Sequence, residues 1–75
     1  MTLAEEDAQI FAANLKRLRR ERGLARAALA RKADVGTDTL FRIESGQCAP
    51  KLDTLLKLAD ALQVEPGALL KGLRP

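Results

Sequence analysis

The sequence predicts an all-α fold of five short helices in one small domain. Leu and Ala make up most of the apolar residues, whereas there is no Trp or Tyr and only two Phe, and this composition favours helices. Apolar residues recur at the spacing of one helix face, and Gly or Pro separates successive segments. A chain of 75 residues buries only about 60% of its unfolded surface, so we expect dimerisation to add stability.

The first helix is predicted to begin near Thr2 and to end at Gly23. Thr2 and Glu5 have the spacing of a capping box. One apolar stripe consists of residues spaced i, i+4 and i+7: Phe11, Leu15 and Leu18. Arg19 lies at the edge of this stripe, and Gly23 supplies the left-handed residue with which many helices end.

Two short helices, residues 25–33 and 37–45, are predicted to follow. The break between them is Asp34-Val35-Gly36, and Gly46 ends the second. Their inward residues are predicted to be Leu29, Ala30, Ala33, Leu40 and Ile43. Two helices joined by such a turn form a helix-turn-helix, whose second helix can lie in the major groove of DNA.

The C-terminal third predicts a fourth helix over residues 52–62 and a fifth over 66–71. The core face of the fourth is predicted to be Leu52, Leu55, Leu56, Ala59 and Leu62. Pro66 suits the first turn of a helix, and Gly72 follows the last.

Positive charge is concentrated in one block. Residues 16–32 hold eight bases and one acid, a local net charge of +7, within a chain of net charge +3. Such a block on a nearly neutral body is typical of a polyanion-binding protein, although Arg-rich helix surfaces also serve solubility.

Composition argues against several other classes. The chain has no His and one cysteine, Cys48, so we expect no enzyme activity, no cofactor and no metal site. No apolar run approaches the length of a membrane span, and no secretory segment is visible, so a soluble, cytoplasmic protein is expected.

A set of residues at fixed mutual spacing resembles the Cro/phage-repressor type (Xre-like) helix-turn-helix family. The most specific part is a pair of elements: Arg42-Ile43-Glu44-x-Gly46 and Leu52-Asp53-Thr54-Leu55-x-x-Leu58-Ala59-x-Ala61-Leu62. The resemblance covers residues 12–71 of a single domain, 1–75. It implies a compact five-helix, lambda-repressor-like fold and a bacterial or phage-encoded regulator that binds double-stranded DNA as a homodimer.

Three departures from the family pattern involve four positions. Ala25 and Arg26 replace the usual Ser or Thr and Gln at the start of the second helix, and loss of the capping hydroxyl costs about 1 kcal/mol. Asp34 replaces the turn glycine but tolerates a left-handed conformation better than most residues. Gly36 takes the capping position of the third helix, which is a smaller loss.

The resemblance assigns base contacts to Thr37, Asp38 and Arg42. Arg42 could instead pair with Asp38 four residues earlier. Asp38 could accept a hydrogen bond from cytosine N4, orient Arg42 or favour the helix N-terminus. Phe41 could contact a thymine methyl group, but packing against neighbouring helices is the favoured interpretation.

Phosphate contacts are expected from side chains at helix ends and in the loop after the third helix: Arg26, Thr39, Ser45, Gln47 and Lys51. The resemblance also implies a structural ion pair between Arg19 and Glu44, linking the first helix to the third. Cys48 is expected to be an exposed thiol, with a redox switch as the alternative.

A dimer interface is expected at the C-terminal helices: Val64, Leu69, Leu70 and Leu73. The function predicted from these features is that of a sequence-specific transcriptional regulator, a small repressor or autoregulator reading a palindromic operator. The alternative is an antitoxin or adaptor whose main role is to bind a partner protein.

Overall fold

In the computed structural model, residues 5–73 are described, and these form five helices and no strand. The helices are α1 (Glu5–Glu21), α2 (Arg26–Ala33), α3 (Thr37–Glu44), α4 (Leu52–Leu62) and α5 (Pro66–Leu69). The predicted all-α fold is therefore confirmed, with α5 two residues shorter than expected. Thr2 of the predicted capping box lies outside the described residues. None of the described helices is long and apolar enough to cross a membrane.

One apolar core joins all five helices. α1 packs on α3 and α5, α2 on α3 and α4, and α4 on α5. The largest apolar side chains that are almost completely buried are Phe11, Leu15, Leu29, Leu40, Ile43, Leu58, Leu62 and Leu69. Each such side chain contributes about 1.5–3 kcal/mol when it leaves water. Each of the five helices, including the four-residue α5, contributes at least one of these buried side chains.

The predicted core face of α4 was wrong at two positions. Leu52 is 71% exposed and Leu56 is 47% exposed, whereas Leu58 and Ala61 are buried. The buried face is centred on Leu58 and Leu62. Leu56 points in a different direction from both around the helix axis. Because α4 has more leucines than one face can hold, the i, i+4 spacing alone did not distinguish the inner set from the outer.

The turn between α2 and α3 has the left-handed residue that the sequence predicted. Asp34 has φ 58° and ψ 49°, and the Val35 amide donates to the Ala30 carbonyl at 2.9 Å. The capping residues Ala25 and Gly36 form no side-chain hydrogen bond at the starts of α2 and α3. Neither helix of the motif therefore begins with a side-chain cap, and packing and this turn contribute to holding the two helices together.

Two polar side chains of α1 and the turn after it fix the C-terminal helices. The Arg22 Nε donates to the Leu62 carbonyl at 2.7 Å, at the end of α4, where the helix dipole favours a cation. The Asn14 Nδ2 donates to the carbonyls of Leu69 and Lys71, both at 2.9 Å. These bonds satisfy carbonyl groups that the helix ends leave without an intrahelical partner.

Candidate nucleic-acid interface

The exposed face of α3 presents the three residues to which base contacts were assigned. Leu40 and Ile43 point into the core with at most 1% of their surface exposed. Thr37, Asp38 and Arg42 are exposed on the other side of the same eight-residue helix. The structure thus brings these three residues together on one surface. The opposite face of the same helix packs into the core.

Arg42 and Asp38 remain separate on this face. The side-chain ion pairs formed among the described residues join Arg17 to Glu21 and Glu44 to two arginines, and do not include this pair. The guanidinium of Arg42 is therefore not held by Asp38, the alternative that the i, i+4 spacing had left open.

Glu44 lies beneath this surface in a buried ion pair with Arg19. The Arg19 Nε donates to Glu44 Oε2 at 2.7 Å, and Nη2 donates to Oε1 at 3.2 Å. A third donor, Arg19 Nη1, reaches the Leu24 carbonyl at 2.8 Å. Only 9% of Arg19 and 2% of Glu44 are exposed. The pair fastens the end of α3 to α1 and leaves none of its buried polar atoms unpaired.

Arg26 is a second partner of Glu44, which the sequence analysis did not predict. Its Nε donates to Glu44 Oε1 at 3.0 Å. We call Arg19, Glu44 and Arg26 the Glu44 triad; its two cations and one anion leave a charge of +1. The Arg26 side chain remains 40% exposed, so the triad reaches the protein surface at the start of α2. The only signal in the sequence was that Arg26 departs from the family's usual Gln.

Phe41 is only half buried, and it contacts the neighbouring helix α2 through the side chain of Arg26. It is 48% exposed, and the guanidinium carbon of Arg26 lies over its ring at 5.0 Å from the centroid. This distance is within the range of a cation–π contact. The ring therefore extends the exposed face of α3 toward α2.

The residues to which phosphate contacts were assigned lie in three places: on α3, along a groove after α3, and at the start of α2. Thr39, Gln47 and Lys51 are exposed, and the last two line an open groove of about 910 Å³ between α1 and the loop after α3. Ser45 also lines it, but its hydroxyl donates to the Phe41 carbonyl at 2.7 Å. Its hydrogen is thus already used within the helix end. Arg26 lies at the start of α2, where it belongs to the Glu44 triad.

The basic block is less available to a polyanion than its charge implied. Arg19, Arg22 and Arg26 donate to groups within the molecule, and Arg17 pairs with Glu21 at 3.2 Å. The described bases of the block without such a bond are Lys16, Arg20, Arg31 and Lys32. About half of the bases in the block therefore make contacts within the molecule.

The C-terminal residues assigned to a dimer interface differ in accessibility. Leu69 is completely buried in the core, so the structure contradicts its assignment to an interface. Val64 and Leu73 are partly buried, and Leu70 is 39% exposed. Leu70, Leu73 and Leu52 line an apolar groove of about 300 Å³. Cys48 is a free, exposed thiol.

Comparisons with known proteins agree with this fold. The model of a family described as the helix-turn-helix domain matches residues 10–73. The restriction-modification controller protein C.AhdI from Aeromonas hydrophila is 34% identical with a TM-score of 0.83, over 85% of this chain and 97% of that one. An HTH_3 family transcriptional regulator from Vibrio cholerae is also 34% identical, with a TM-score of 0.82 over 87% of this chain but only 36% of that one.

A hypothetical transcription factor, NHTF, from Neisseria is 26% identical with a TM-score of 0.82, over all of this chain and 83% of that one. A search of the curated proteins gave no match. The family model covers most of the chain, and the solved structures share its fold. The chain therefore belongs to the helix-turn-helix domain family, as a member of the Cro/phage-repressor (Xre-like) type of DNA-binding proteins.

Proposed function

We propose that this protein is a sequence-specific transcriptional regulator, a small dimeric repressor or autoregulator that reads a palindromic operator with α3. The observation that carries the proposal is the exposed face of α3, which presents Thr37, Asp38 and Arg42 while the Glu44 triad holds the end of the same helix. A reading helix must keep a fixed orientation for its side chains to meet base edges, and the triad gives α3 such a support.

Base contact is assigned to the outward side chains of α3. The Arg42 guanidinium is exposed and not paired with Asp38, so it can donate two bonds to guanine O6 and N7. Asp38 can accept from cytosine N4 and, as an acid in the first turn of α3, also suits the helix dipole.

Phosphate contact is assigned to Arg26, Thr39, Gln47 and Lys51. Each phosphate neutralised by a cation adds about −0.9 to the slope of log K against log salt. Ser45 was also expected to contact a phosphate, but it is the weakest candidate because its hydroxyl already donates to the Phe41 carbonyl.

The dimer is assigned to the C-terminal apolar surface, which we define as Leu52, Leu56, Leu70 and Leu73. In the interface expected from the sequence, Leu52 and Leu56 replace the buried Leu69 and the partly buried Val64. Dimerisation here would give two α3 helices, which for a palindrome must lie about one DNA turn, roughly 34 Å, apart.

The same exposed leucines favour a second candidate, an antitoxin or adaptor that binds a partner protein. Selection of binding sites from a random duplex pool, at about 150 mM salt, separates the two candidates because weak nonspecific binding is salt-sensitive. Enrichment of a two-fold symmetric motif supports the dimeric regulator. Binding without enrichment, together with tight association with a co-encoded neighbour, supports the partner-protein role.

A further inference from the structure

We propose that Phe41 is a specificity-determining residue, whose ring contacts the C5-methyl group of one thymine in each operator half-site. This inference rests on the proposed function. It assigns a named base feature to a residue outside the set Thr37, Asp38 and Arg42, and it gives Arg26 the role of a positioning residue.

The exposure of Phe41 sets it apart from the other apolar residues of α3. Leu40 and Ile43 are at most 1% exposed, whereas the larger ring of Phe41 is 48% exposed. The position is not required by the core, which α3 reaches through Leu40 and Ile43.

The ring adjoins the polar side chains to which base contacts are assigned. Phe41 lies four residues after Thr37 and three after Asp38, the two spacings at which helix side chains are neighbours. Arg42 is the next residue along. If α3 contacts base edges through its polar side chains, the Phe41 ring enters the same groove.

The ring is also held in place. The Arg26 guanidinium lies over it at 5.0 Å, and that guanidinium is itself bonded to the buried Glu44 at 3.0 Å. A side chain already ordered in the free protein loses less conformational entropy on binding.

The charges beside the ring favour DNA over a protein as its occupant. Arg26 puts a cation directly over the exposed aromatic ring. The thymine methyl is the apolar group that base edges present in the major groove, and it is surrounded by a polyanion. An aromatic ring that carries a cation beside it is complementary to that combination.

The test uses the enriched operator with each thymine replaced singly by deoxyuridine, which removes only the methyl group. We expect the wild-type protein to lose about fourfold in affinity at one thymine of each half-site, the value for one buried methyl-sized group. Phe41→Ala should bind the thymine and deoxyuridine forms of that position equally, and Phe41→Leu should retain part of the preference. The ratio of the two affinities is the readout, so a general loss of affinity does not affect it.

Arg26→Lys tests the positioning role. Lysine keeps the charge for a phosphate but cannot provide the same planar contact with Glu44 and the ring. We expect an unchanged salt slope and a smaller preference for thymine over deoxyuridine. Circular dichroism of each variant checks that the helices are retained.

Two results overturn the inference while leaving the proposed function intact: wild-type binding that is indifferent to deoxyuridine at every position, or an equal thymine preference in Phe41→Ala. Tight binding of a protein partner through Phe41, with no binding to any duplex, overturns the inference and the proposed function together.

Discussion

At the scale of single residues, Glu44 connects α3, which carries the candidate interface, to α1 and α2. Its carboxylate is 2% exposed and accepts hydrogen bonds from both Arg19 and Arg26. A buried carboxylate is tolerated only when it is well paired, and removal of one partner leaves the opposite charge uncompensated. Stability and the orientation of α3 therefore depend on the same side chain.

Glu44→Ala is expected to unfold or loosen the domain. Breaking a buried ion pair from one side costs about 3–5 kcal/mol, a large part of the total stability of a small domain. Urea unfolding followed by circular dichroism measures the loss. Glu21→Ala is the matched control, because the exposed Arg17–Glu21 pair should contribute less than about 1 kcal/mol. Equal stability of Glu44→Ala and the wild type would contradict the structural role of the triad.

Arg42→Ala is expected to weaken binding to the selected operator by about 1–3 kcal/mol and to relax the preference at one base position. The reason is the loss of a bidentate contact rather than of charge alone. Arg31→Ala, which removes an exposed arginine near the end of α2, is the control. Affinities for a panel of single-base operator variants provide the measurement. If both variants lose affinity uniformly across the panel, Arg42 acts only through its charge.

Residue roles could be predicted from the sequence only in part. The Arg19–Glu44 pair was implied by the family resemblance. The bond from Arg26 to Glu44 could not be read from a helix pattern, because a pattern indicates which side a residue faces but not what the neighbouring helix presents there. The contact of Arg26 with the Phe41 ring was missed for the same reason.

At the scale of elements, α2 and α3 are helices that the rest of the molecule must stabilise. Each has eight residues and no side-chain cap, whereas isolated helices shorter than about 12–15 residues are marginal in water. Their termini lay within one residue of the predictions because Gly36 and Gly46 mark the breaks. The inward face of α4 was less predictable, since only the packing of α2 and α5 decides which leucines are buried.

Ala25→Ser is expected to stabilise the protein by about 1 kcal/mol through a new cap on α2. Ala25 has the extended conformation of a capping residue, with φ −70° and ψ 158°, but lacks a hydroxyl. Thermal and urea unfolding measure the gain. Ala27→Ser is the control: Ala27 is an exposed residue inside the same helix, where serine has the lower helix propensity and should destabilise slightly. Equal effects of the two substitutions would rule out capping as the cause.

At the scale of the whole molecule, exposed apolar surface is concentrated near the C-terminal helices. Leu52 is 71% exposed, Leu56 47% and Leu70 39%, and Leu52 and Leu70 share one groove with Leu73. Adjacent exposed leucines on so small a protein are typical of an interaction surface. The sequence predicted dimerisation through this region. The interface residues differ from the predicted set because Leu52 and Leu56 of α4 are exposed, whereas Leu69 is buried.

Leu52→Glu is expected to convert the proposed dimer to a monomer without unfolding it. The side chain is largely exposed, and an acid at the first position of α4 suits the helix dipole, so the fold should tolerate the change. Sedimentation equilibrium at micromolar concentration should detect the shift, and affinity for the full palindrome should fall while that for an isolated half-site is retained. Leu69→Glu is the contrasting variant: it places a charge in the core and should lose helical signal altogether. A wild-type protein that is monomeric both free and on DNA would refute the dimer, and a Leu52→Glu protein that remains dimeric would move the interface to another face.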